Sequence, residues 1–238
     1  HCSGALIDND LFLTAGHCVD DQADCDNTRI IFRSLYTAPN ELYPTTVQDL
    51  YSCAEIVTRR NDGGGDYAVI RLDRMVSGGL EAAPVWGGTE PLALGTPLTL
   101  VGGPNGIPVK TDKQGRVISS GSSSRISFGL SVDAFGGNSG SALYNEDGKI
   151  VGILVQGRRD YYLDQSSNCH RVSRIDVDPE GMPIDNQGGE TGTYASRVLA
   201  AFCPLRPDAL ACGGEGSSGG GEEVGAGEMG AGEMGAGE

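Results

Sequence analysis

The sequence predicts a mostly β fold of the sandwich or barrel class, on three observations. Short runs of β-branched and apolar residues recur along most of the chain. Clusters of Gly, Asn, Asp and Ser separate these runs, as turns separate the strands of all-β domains. One segment alone has helical spacing. The expected strands are Ala5 to Ile7, Leu11 to Ala15, Arg29 to Arg33, Ala54 to Thr58, Tyr67 to Leu72, Pro97 to Val101, Arg116 to Ser119, Ile126 to Leu130 and Lys149 to Gln156.

The helical segment spans 194–202 and has the sequence YASRVLAAF. Val198, Leu199 and Phe202 fall on one face of a helix of this length. The side chain of Thr193 is of a type that caps the first turn of a helix. We therefore expect a short C-terminal helix here, preceded by a loop-rich stretch over 157–192.

Charge and hydropathy exclude two broad classes of protein. Asp and Glu outnumber Lys and Arg by 32 to 17, which gives a formal net charge of −15. A nucleic-acid-binding protein needs a basic surface, so this balance argues against such a partner. No run of 18 or more apolar residues occurs, so the sequence predicts no membrane-spanning helix.

The run DDQADCD at 20–26 is rich in carboxylates. Hard oxygen ligands of this kind suit calcium. The spacing does not match an EF-hand loop, so we interpret the run as a solvated loop. We expect no metal and no other cofactor.

The last 26 residues, 213–238, contain 12 Gly and 6 Glu, with no basic and no aromatic residue. Such a segment buries too little apolar surface to offset the entropy lost on ordering, and its charges repel one another. The repeat VGAGE, MGAGE, MGAGE leaves a short-period solenoid as the alternative. We expect a flexible Gly- and Glu-rich tail over 204–238.

Seven cysteines are spread along the chain without a Cys-x-x-Cys pair, which argues against a zinc ribbon or a redox motif. Dispersed cysteines in an acidic, Gly-rich chain favour disulfides and an oxidising compartment. We therefore expect a secreted or cell-envelope protein. Because seven is odd, at least one cysteine has no partner within the chain. The cysteines are Cys2, Cys18, Cys25, Cys53, Cys169, Cys203 and Cys212.

Three segments carry the residues of a nucleophilic site: LTAGHC with His17, GDYAV with Asp66 and GGNSG with Ser139. A serine hydroxyl needs a base to take its proton, and an imidazole serves near neutral pH. A carboxylate fixes the imidazole tautomer and stabilises the imidazolium. Glycines beside a serine let backbone N–H groups converge on one point, where they stabilise an oxyanion. The chain order His, Asp, Ser is that of the chymotrypsin architecture.

The segments CSGALI, LTAGHC, DYAVIRL and GGNSGSALYNEDGKIVGI together resemble a trypsin/chymotrypsin-type serine endopeptidase over residues 1–203. The resemblance implies that His17 is the general base, Asp66 its orienting carboxylate and Ser139 the nucleophile. It also implies an oxyanion hole built from the N–H groups of Gly137 and Ser139. The form GNSGS around the nucleophile is similar to bacterial branches of the family, such as glutamyl endopeptidases.

The fold that this resemblance implies is a pair of six-stranded antiparallel β-barrels with a short C-terminal helix and the site in the cleft between them. The first barrel is expected over 1–90 and the second, with the helix, over 91–203. Their boundary falls in the Pro- and Gly-rich stretch 84–97. The family carries one more strand before the position of His1, so we expect a first barrel that lacks its N-terminal strand.

The resemblance also implies a disulfide between Cys2 and Cys18, beside the general base. Cys25 and Cys53 are expected to form a second pair, and two of the other three cysteines a third. Asn138 precedes the nucleophile where animal trypsins carry an Asp that pairs with a freshly cut N-terminus. A neutral Asn cannot form that ion pair, so activation by N-terminal insertion is not implied.

By the same resemblance, Asp133 lies at the base of the primary specificity pocket, six residues before the nucleophile. Val155, Gln156 and Gly157 form the pocket wall. A buried carboxylate at the base favours Lys or Arg before the cleaved bond. The alternative is that Asp133 binds local backbone N–H groups or Arg158.

Acidic specificity is the second possibility for this pocket. Glutamyl endopeptidases hold the substrate carboxylate with a His on or near the wall strand, but the segment GILVQGRRD has no His. The next histidine is His170, on a later segment, and we expect a structural role for it.

The predicted function is hydrolysis of peptide bonds by a secreted, monomeric serine endopeptidase through a Ser139 acyl-enzyme, with a protein or peptide as substrate. A non-catalytic binding module on a protease scaffold is one alternative. Such modules usually lack a member of the triad, whereas this sequence has all three. An esterase of the α/β-hydrolase type is the other alternative, and it requires the order Ser, Asp, His and more helix.

Overall fold

The computed structural model describes residues 1–121, 124–184 and 189–216, which form two antiparallel β units with little helix. The first unit contains β1 (Ala5–Leu6), β2 (Leu11–Thr14), β3 (Arg29–Ile31), β4 (Tyr36–Ala38), β5 (Glu41–Leu42), β6 (Leu50–Asp62) and β7 (Gly65–Leu72). Five of these strands pair in the order β1–β2–β7–β6–β3, and β4 with β5 forms a separate hairpin.

The second unit contains β8 (Pro97–Gly102), β9 (Lys110–Ser119), β10 (Ser127–Leu130), β11 (Ala142–Tyr144), β12 (Ile150–Gln156), β13 (Tyr161–Asp164), β14 (Cys169–Val172) and β15 (Glu190–Tyr194). Six of these strands close into a barrel in the order β10–β15–β12–β11–β8–β9. The other two, β13 and β14, form a hairpin that leaves the barrel after β12. In the residues that the structure describes, the two α-helices are α1 (Gln22–Asn27) and α2 (Ala195–Phe202).

The barrel interior follows from the two-residue period of its strands. Along β8, buried and half-buried residues alternate, which turns Leu98 and Leu100 inward. They pack in one cluster with Val117, Phe128 and Leu130 from neighbouring strands. Burial of each such side chain contributes about 1.5–3 kcal/mol. Apolar side chains therefore fill the barrel interior, and the loops between its strands are the place for a functional site.

A second cluster joins the two units. Leu13 of β2 and Val69 of β7 pack with Ile150 and Ile153 of β12 and with Val198 of α2. All five side chains are at most 1% exposed. Because this apolar contact fixes the end of β2 against the barrel, side chains that follow β2 are held close to the barrel loops.

The expected fold class is confirmed, as one closed six-stranded barrel and one five-stranded half-barrel. Every run expected to be a strand overlaps an observed strand. Two strands are longer than expected, because β6 extends the run 54–58 to thirteen residues and β9 extends the run 116–119 to ten.

The structure corrects the expectation of a solvated loop for the acidic run at 20–26, because most of this run forms helix α1. Asp21 caps the helix by accepting a 2.9 Å hydrogen bond from the N–H of Asp24. Cys25, on the inner face, is fully buried. A capping carboxylate and one buried cysteine thus stabilise a helix in a segment whose many carboxylates favour exposure to solvent.

Two expectations near the C-terminus also need correction. Helix α2 begins after Tyr194, and its first turn has no side-chain cap. Thr193 belongs to β15 instead, where it pairs with Ser127 and Ile153. The stretch 157–192, expected to be loop-rich, contains the hairpin β13–β14 and the start of β15.

The predicted flexible tail over 204–238 includes residues that are packed in the structure, so its first part is a correction. Ala209 is fully buried, and the N–H of Leu210 donates to Asp8 at 3.1 Å. A disulfide between Cys203 and Cys212 closes this segment. The rest of the predicted tail, 217–238, lies outside the described residues. Within the described ranges, no helix is long and apolar enough to cross a membrane.

Candidate active site

His17 and Asp66 meet at the edge of the first unit because of the pairing of β2 with β7. His17 lies in a 3₁₀ turn just after β2, and Asp66 is the second residue of β7. The ring Nδ1 of His17 is 2.7 Å from Oδ2 of Asp66. The backbone N–H of His17 donates to Oδ1 of the same carboxylate at 3.0 Å. Two hydrogen bonds to one carboxylate fix both the position and the orientation of the imidazole.

The turn that carries His17 has room only for glycine at Gly16. A Cβ there would lie 1.9 Å from the carbonyl oxygen of Arg60. The guanidinium of Arg59 donates to the Gly16 carbonyl at 2.9 Å. The turn is therefore pinned to β6, and His17 is placed by backbone packing as well as by Asp66.

The electrostatics of this pair favour the charged imidazolium. The hydrogen bond with Asp66 raises the pKa of His17 above its ordinary value of 6.5, and the charges of Asp66 and Asp20 act in the same direction. Partial burial opposes the shift. The side chain of His17 is still 35% exposed, so a ligand in the cleft can reach its ring.

Ser139 lies where the second unit touches the end of β2. Its carbonyl oxygen accepts a 2.8 Å hydrogen bond from the N–H of Ser3, and Cys18 Sγ lies 3.8 Å from the same oxygen. A Cβ on Gly140 would lie 2.3 Å from Thr14 Oγ1, so the chain after Ser139 packs directly on β2. In the part of the chain that the structure describes, the Ser139 hydroxyl makes no hydrogen bond with the His17 ring.

The segment before Ser139 is held in a left-handed conformation at Gly137, whose φ is +96°. Asn138, next along the chain, is 3% exposed, and its side-chain oxygen accepts from the Ser141 hydroxyl at 3.3 Å. Among the described residues, no acceptor bonds to the backbone N–H of Gly137 or of Ser139. Both donors are thus available to a ligand.

The structure links Cys2 with Cys18 through an S–S bond of 2.01 Å, as the resemblance implies. The two sulfurs and a ring nitrogen of His17 all lie within 4.8 Å of one another. Sulfurs that share a disulfide are not the thiolates that bind metals, so these three groups do not form a metal site.

The other cysteines also form bonds within the chain, with one exception. Cys25 is bonded to Cys53, and Cys203 to Cys212. Cys169 is exposed and has no disulfide partner.

Asp133 is exposed rather than buried, which differs from the expectation for a pocket base. Its pKa is raised above the ordinary value by partial burial of the carboxyl and by the nearby Asp112. Arg174 and the backbone N–H of Ile175 oppose that shift by interacting with the charged form. The arginine whose charge acts on Asp133 is thus Arg174 rather than Arg158.

The expected wall residues lie at the end of β12, where Val155 is half-buried and Gln156 and Gly157 are exposed. His170 is exposed on β14, paired with Leu163 of β13. Its position on a surface hairpin is not that of a buried structural histidine.

Glu190 is a residue at this site that the sequence analysis missed. It is 3% exposed, and its carboxylate accepts the N–H of Arg158 at 3.1 Å. A Cβ on Gly157 would lie 2.5 Å from Glu190 Oε2, so the carboxylate rests on the expected pocket wall. Burial raises the pKa of Glu190 to about 7, and the charges of Asp160 and Asp133 act in the same direction. No local sequence pattern marks this residue, because its burial comes from contacts with residues distant in the sequence.

Comparison with known proteins identifies the family of the chain. The family described as Trypsin-like peptidase domain matches residues 2–153, so the chain belongs to the trypsin-like peptidase family. No curated protein matches the chain.

Solved structures of the same fold include a Glu endopeptidase in complex with MPD, with 19% identity, a TM-score of 0.54 and coverage of 89% of this chain and 85% of that one. Kallikrein-related peptidase 10 is also similar, with 15% identity, a TM-score of 0.51 and coverage of 86% and 89% respectively. At these sequence identities, the two structural similarities support the fold of this chain and nothing more specific.

Proposed function

We propose that the chain hydrolyses peptide bonds as a serine endopeptidase, with His17 as general base, Asp66 as its orienting carboxylate and Ser139 as nucleophile. The observation that carries this proposal is the pair of hydrogen bonds from the backbone and ring of His17 to one carboxylate. A carboxylate at Nδ1 favours the tautomer with its proton on that atom, which leaves Nε2 free to act as a base. Membership of the trypsin-like peptidase family supports the assignment.

The chemistry proceeds in two halves. The Ser139 Oγ attacks the carbonyl carbon of the scissile bond while its proton passes to His17 Nε2. The N–H groups of Gly137 and Ser139 stabilise the negative oxygen of the tetrahedral intermediate. The C–N bond then breaks, and His17 gives its proton to the leaving amine. In the second half, water gives a proton to His17 as its oxygen attacks the acyl carbon. The bond from that carbon to Ser139 Oγ then breaks, His17 returns the proton to Oγ, and the carboxylic acid leaves.

This mechanism requires His17 Nε2 to reach the Ser139 hydroxyl when a substrate is bound. Hydrogen bonds between a nucleophile and its base are often long in the absence of substrate and tighten in the reacting complex. The packing of Gly140 on Thr14 supports a short path between the two side chains, because it ties the chain beside Ser139 to the strand before His17.

For the substrate, we favour Lys or Arg before the cleaved bond. Asp133 and Glu190 lie within electrostatic range of each other, and Glu190 also lies against the expected pocket wall at Gly157. Carboxylates that lose water at a binding site favour a cation and disfavour an acidic side chain. Three disulfides support a site of action in an oxidising compartment, outside the cytosol.

The test is cleavage of a mixed peptide library by the whole chain, read by mass spectrometry, with Ser139→Ala as control. The expected result is a set of cuts after Lys and Arg that vanish in Ser139→Ala. Asp133→Asn should reduce those cuts relative to Asp147→Asn, which removes an exposed carboxylate far from the pocket. A folded protein without any Ser139-dependent cleavage would overturn the proposal in favour of a binding module. Ser139-dependent cuts elsewhere would overturn the specificity alone.

A further inference from the structure

The hairpin β13–β14 lies against the segment that precedes the nucleophile. Oδ2 of Asp160, just before β13, accepts the backbone N–H of Gly136 at 2.8 Å. The ring of Tyr161, the first residue of β13, packs on the ring of Phe135 with centroids 6.0 Å apart. Two consecutive residues of the hairpin thus hold two consecutive residues of the active-site segment.

Asn105, from the turn after β8, completes the contact from a second side. Its backbone N–H donates to the Gly136 carbonyl at 2.6 Å. Its side-chain amide donates to the Tyr161 hydroxyl at 3.1 Å. The N–H and the C=O of Gly136 are therefore both bonded, and the two groups that bind them are themselves joined through Tyr161.

This bonding sets the direction of the next N–H group in the chain. The carbonyl of Gly136 and the N–H of Gly137 belong to one planar trans peptide, so they point in opposite directions. Once Asn105 holds the carbonyl, the N–H of Gly137 faces the other way. In the proposed mechanism this N–H is a donor to the oxyanion, so the orientation of one peptide plane determines whether the donor is in place.

The segment has little intrinsic reason to keep that orientation. Gly136 and Gly137 are adjacent glycines, which have the largest backbone freedom of any residue. The neutral side chain of Asn138 cannot anchor the segment through an ion pair. In the described ranges, the N–H and C=O groups of Gly136 and Gly137 are bonded by Asp160, Asn105 and Ser3, and the N–H of Asn138 closes the turn over them by donating to the Phe135 carbonyl at 2.9 Å.

We propose that Asp160, assisted by Tyr161, is a positioning residue: it anchors the N–H of Gly136 so that Asn105 holds the Gly136–Gly137 peptide with the Gly137 N–H directed at the oxyanion. The inference rests on the proposed function. It adds that the surface hairpin β13–β14 controls the rate of the chemical step without touching the substrate.

The first experiment compares Asp160→Ala with Asp160→Asn for a peptide substrate of fixed sequence. Asp160→Ala removes the acceptor for the Gly136 N–H, and kcat should fall about tenfold or more with little change in KM. Asp160→Asn keeps an acceptor oxygen of the same reach and should recover most of the rate. A peptide boronic acid, which mimics the tetrahedral intermediate, should lose affinity in Asp160→Ala by a factor similar to the loss in kcat.

The matched control is Asp164→Ala, four residues further along the same hairpin. Asp164 accepts bonds from Ser166, Ser167 and Arg171 and has no contact with 135–137. Its removal loosens the hairpin but leaves the Gly136 N–H bonded, so kcat should stay near the wild-type value. Equal losses in Asp160→Ala and Asp164→Ala, or a change confined to KM, would overturn the inference.

A second measurement does not depend on catalysis. In a Ser139→Ala background, the amides of Gly136 and Gly137 can be followed by NMR and hydrogen exchange. Asp160→Ala should shift both resonances and speed the exchange of the Gly136 amide, whose hydrogen bond it removes, whereas Asp164→Ala should do neither. Unchanged amides would refute the positioning role even in a protein without peptidase activity. If the amides change but no Ser139-dependent cleavage exists, the proposed function fails while the positioning of this peptide stands.

Discussion

The hydroxyl of Ser3 donates a 2.8 Å hydrogen bond to the carbonyl oxygen of Gly137, and this bond connects the two β units at the candidate active site. The N–H of Gly103 donates to the same hydroxyl at 2.9 Å, and the N–H of Ser3 donates to the Ser139 carbonyl at 2.8 Å. One residue next to the Cys2–Cys18 disulfide thus binds both ends of the segment 137–139. Neither unit alone can give this segment its conformation.

Because Gly137 is held so closely, Gly137→Ala should impair catalysis. The φ of +96° disfavours an L-residue by about 1–2 kcal/mol, and the added Cβ would lie 2.8 Å from a ring carbon of His1 and 2.9 Å from Asn105 N. The peptide must move, which withdraws one oxyanion donor, so kcat should fall about 100-fold. Steady-state kinetics on a peptide substrate measures the loss.

Gly148→Ala is the control for this prediction. Gly148 also has a positive φ, +72°, but a Cβ there meets nothing within 4 Å. It should cost similar backbone strain and leave kcat unchanged. If both variants lose the same activity, backbone strain rather than the oxyanion segment explains the effect.

Asp66→Asn should lower kcat by about 10⁴-fold, because an amide favours the wrong imidazole tautomer for a base at Nε2. The pKa of His17 should also fall, since the hydrogen bond with Asp66 is the largest cause that raises it above 6.5. The acid limb of kcat/KM, which reports ionisation of the base, should move to lower pH with it. Kinetics and a proton NMR titration of His17 give the two readouts. Asp147→Asn, an exposed substitution, should change neither, and a wild-type rate in Asp66→Asn would remove Asp66 from the mechanism.

The disulfide between Cys2 and Cys18 should serve both stability and catalysis. Its loop of 16 residues predicts that Cys2→Ser with Cys18→Ser destabilises the protein by about 3 kcal/mol in the chain-entropy account. Because the sulfurs lie within 4.8 Å of a ring nitrogen of His17, the same variant should lose activity under conditions where it is folded. Urea unfolding and kcat are the measurements.

The pair Cys203 and Cys212 supplies the comparison for that experiment. Its shorter separation of 9 residues predicts a similar stabilisation, again about 3 kcal/mol, but it ties the end of α2 rather than the turn that carries His17. Replacing both by Ser should lower stability and preserve the rate of the folded protein. Loss of activity in both double variants would mean that destabilisation alone explains the result.

The candidate residues His17, Asp66 and Ser139 could be proposed from the sequence because each belongs to a short motif. The three also occur in the chain order His, Asp, Ser of the chymotrypsin architecture. Strand positions such as Tyr67 to Leu72 were predictable for a related reason, since local runs of β-branched and apolar residues produce them. What the motifs specify is residue type and chain order. The hydrogen bonds that give them geometry depend on pairing between strands.

Glu190 shows why other residues of the candidate site could not be predicted from the sequence. Its sequence neighbours are Gly and Thr, a composition typical of a solvated loop. Its burial results from pairing of β15 with β10 and β12, whose partner residues are 35 to 66 positions away, and from contact with Gly157. The hydrogen bond from the Gly136 N–H to Asp160 likewise joins residues that are distant in the sequence. Long-range contacts of this kind leave no local periodicity to read.

Glu190 should also make the protein less stable as the pH rises. Burial raises its pKa to about 7 from an ordinary 4.5, so between these values the folded state binds more protons than the unfolded state. Stability therefore falls with increasing pH across this window, because ionising the buried carboxyl is unfavourable. Asp133, whose pKa is also raised, contributes in the same direction.

Glu190→Gln isolates the contribution of this one group. The amide oxygen still accepts the Arg158 N–H but cannot ionise, so the variant should gain stability relative to wild type at pH 8 and gain much less at pH 5. Urea unfolding at both pH values, with the exposed Glu146→Gln as control, measures the difference. An identical pH dependence in Glu190→Gln and wild type would show that Glu190 ionises in the folded protein near its ordinary pKa. The carboxylate would then be hydrated rather than buried against Gly157, and the case for a desolvated negative charge at the specificity site would fall with it.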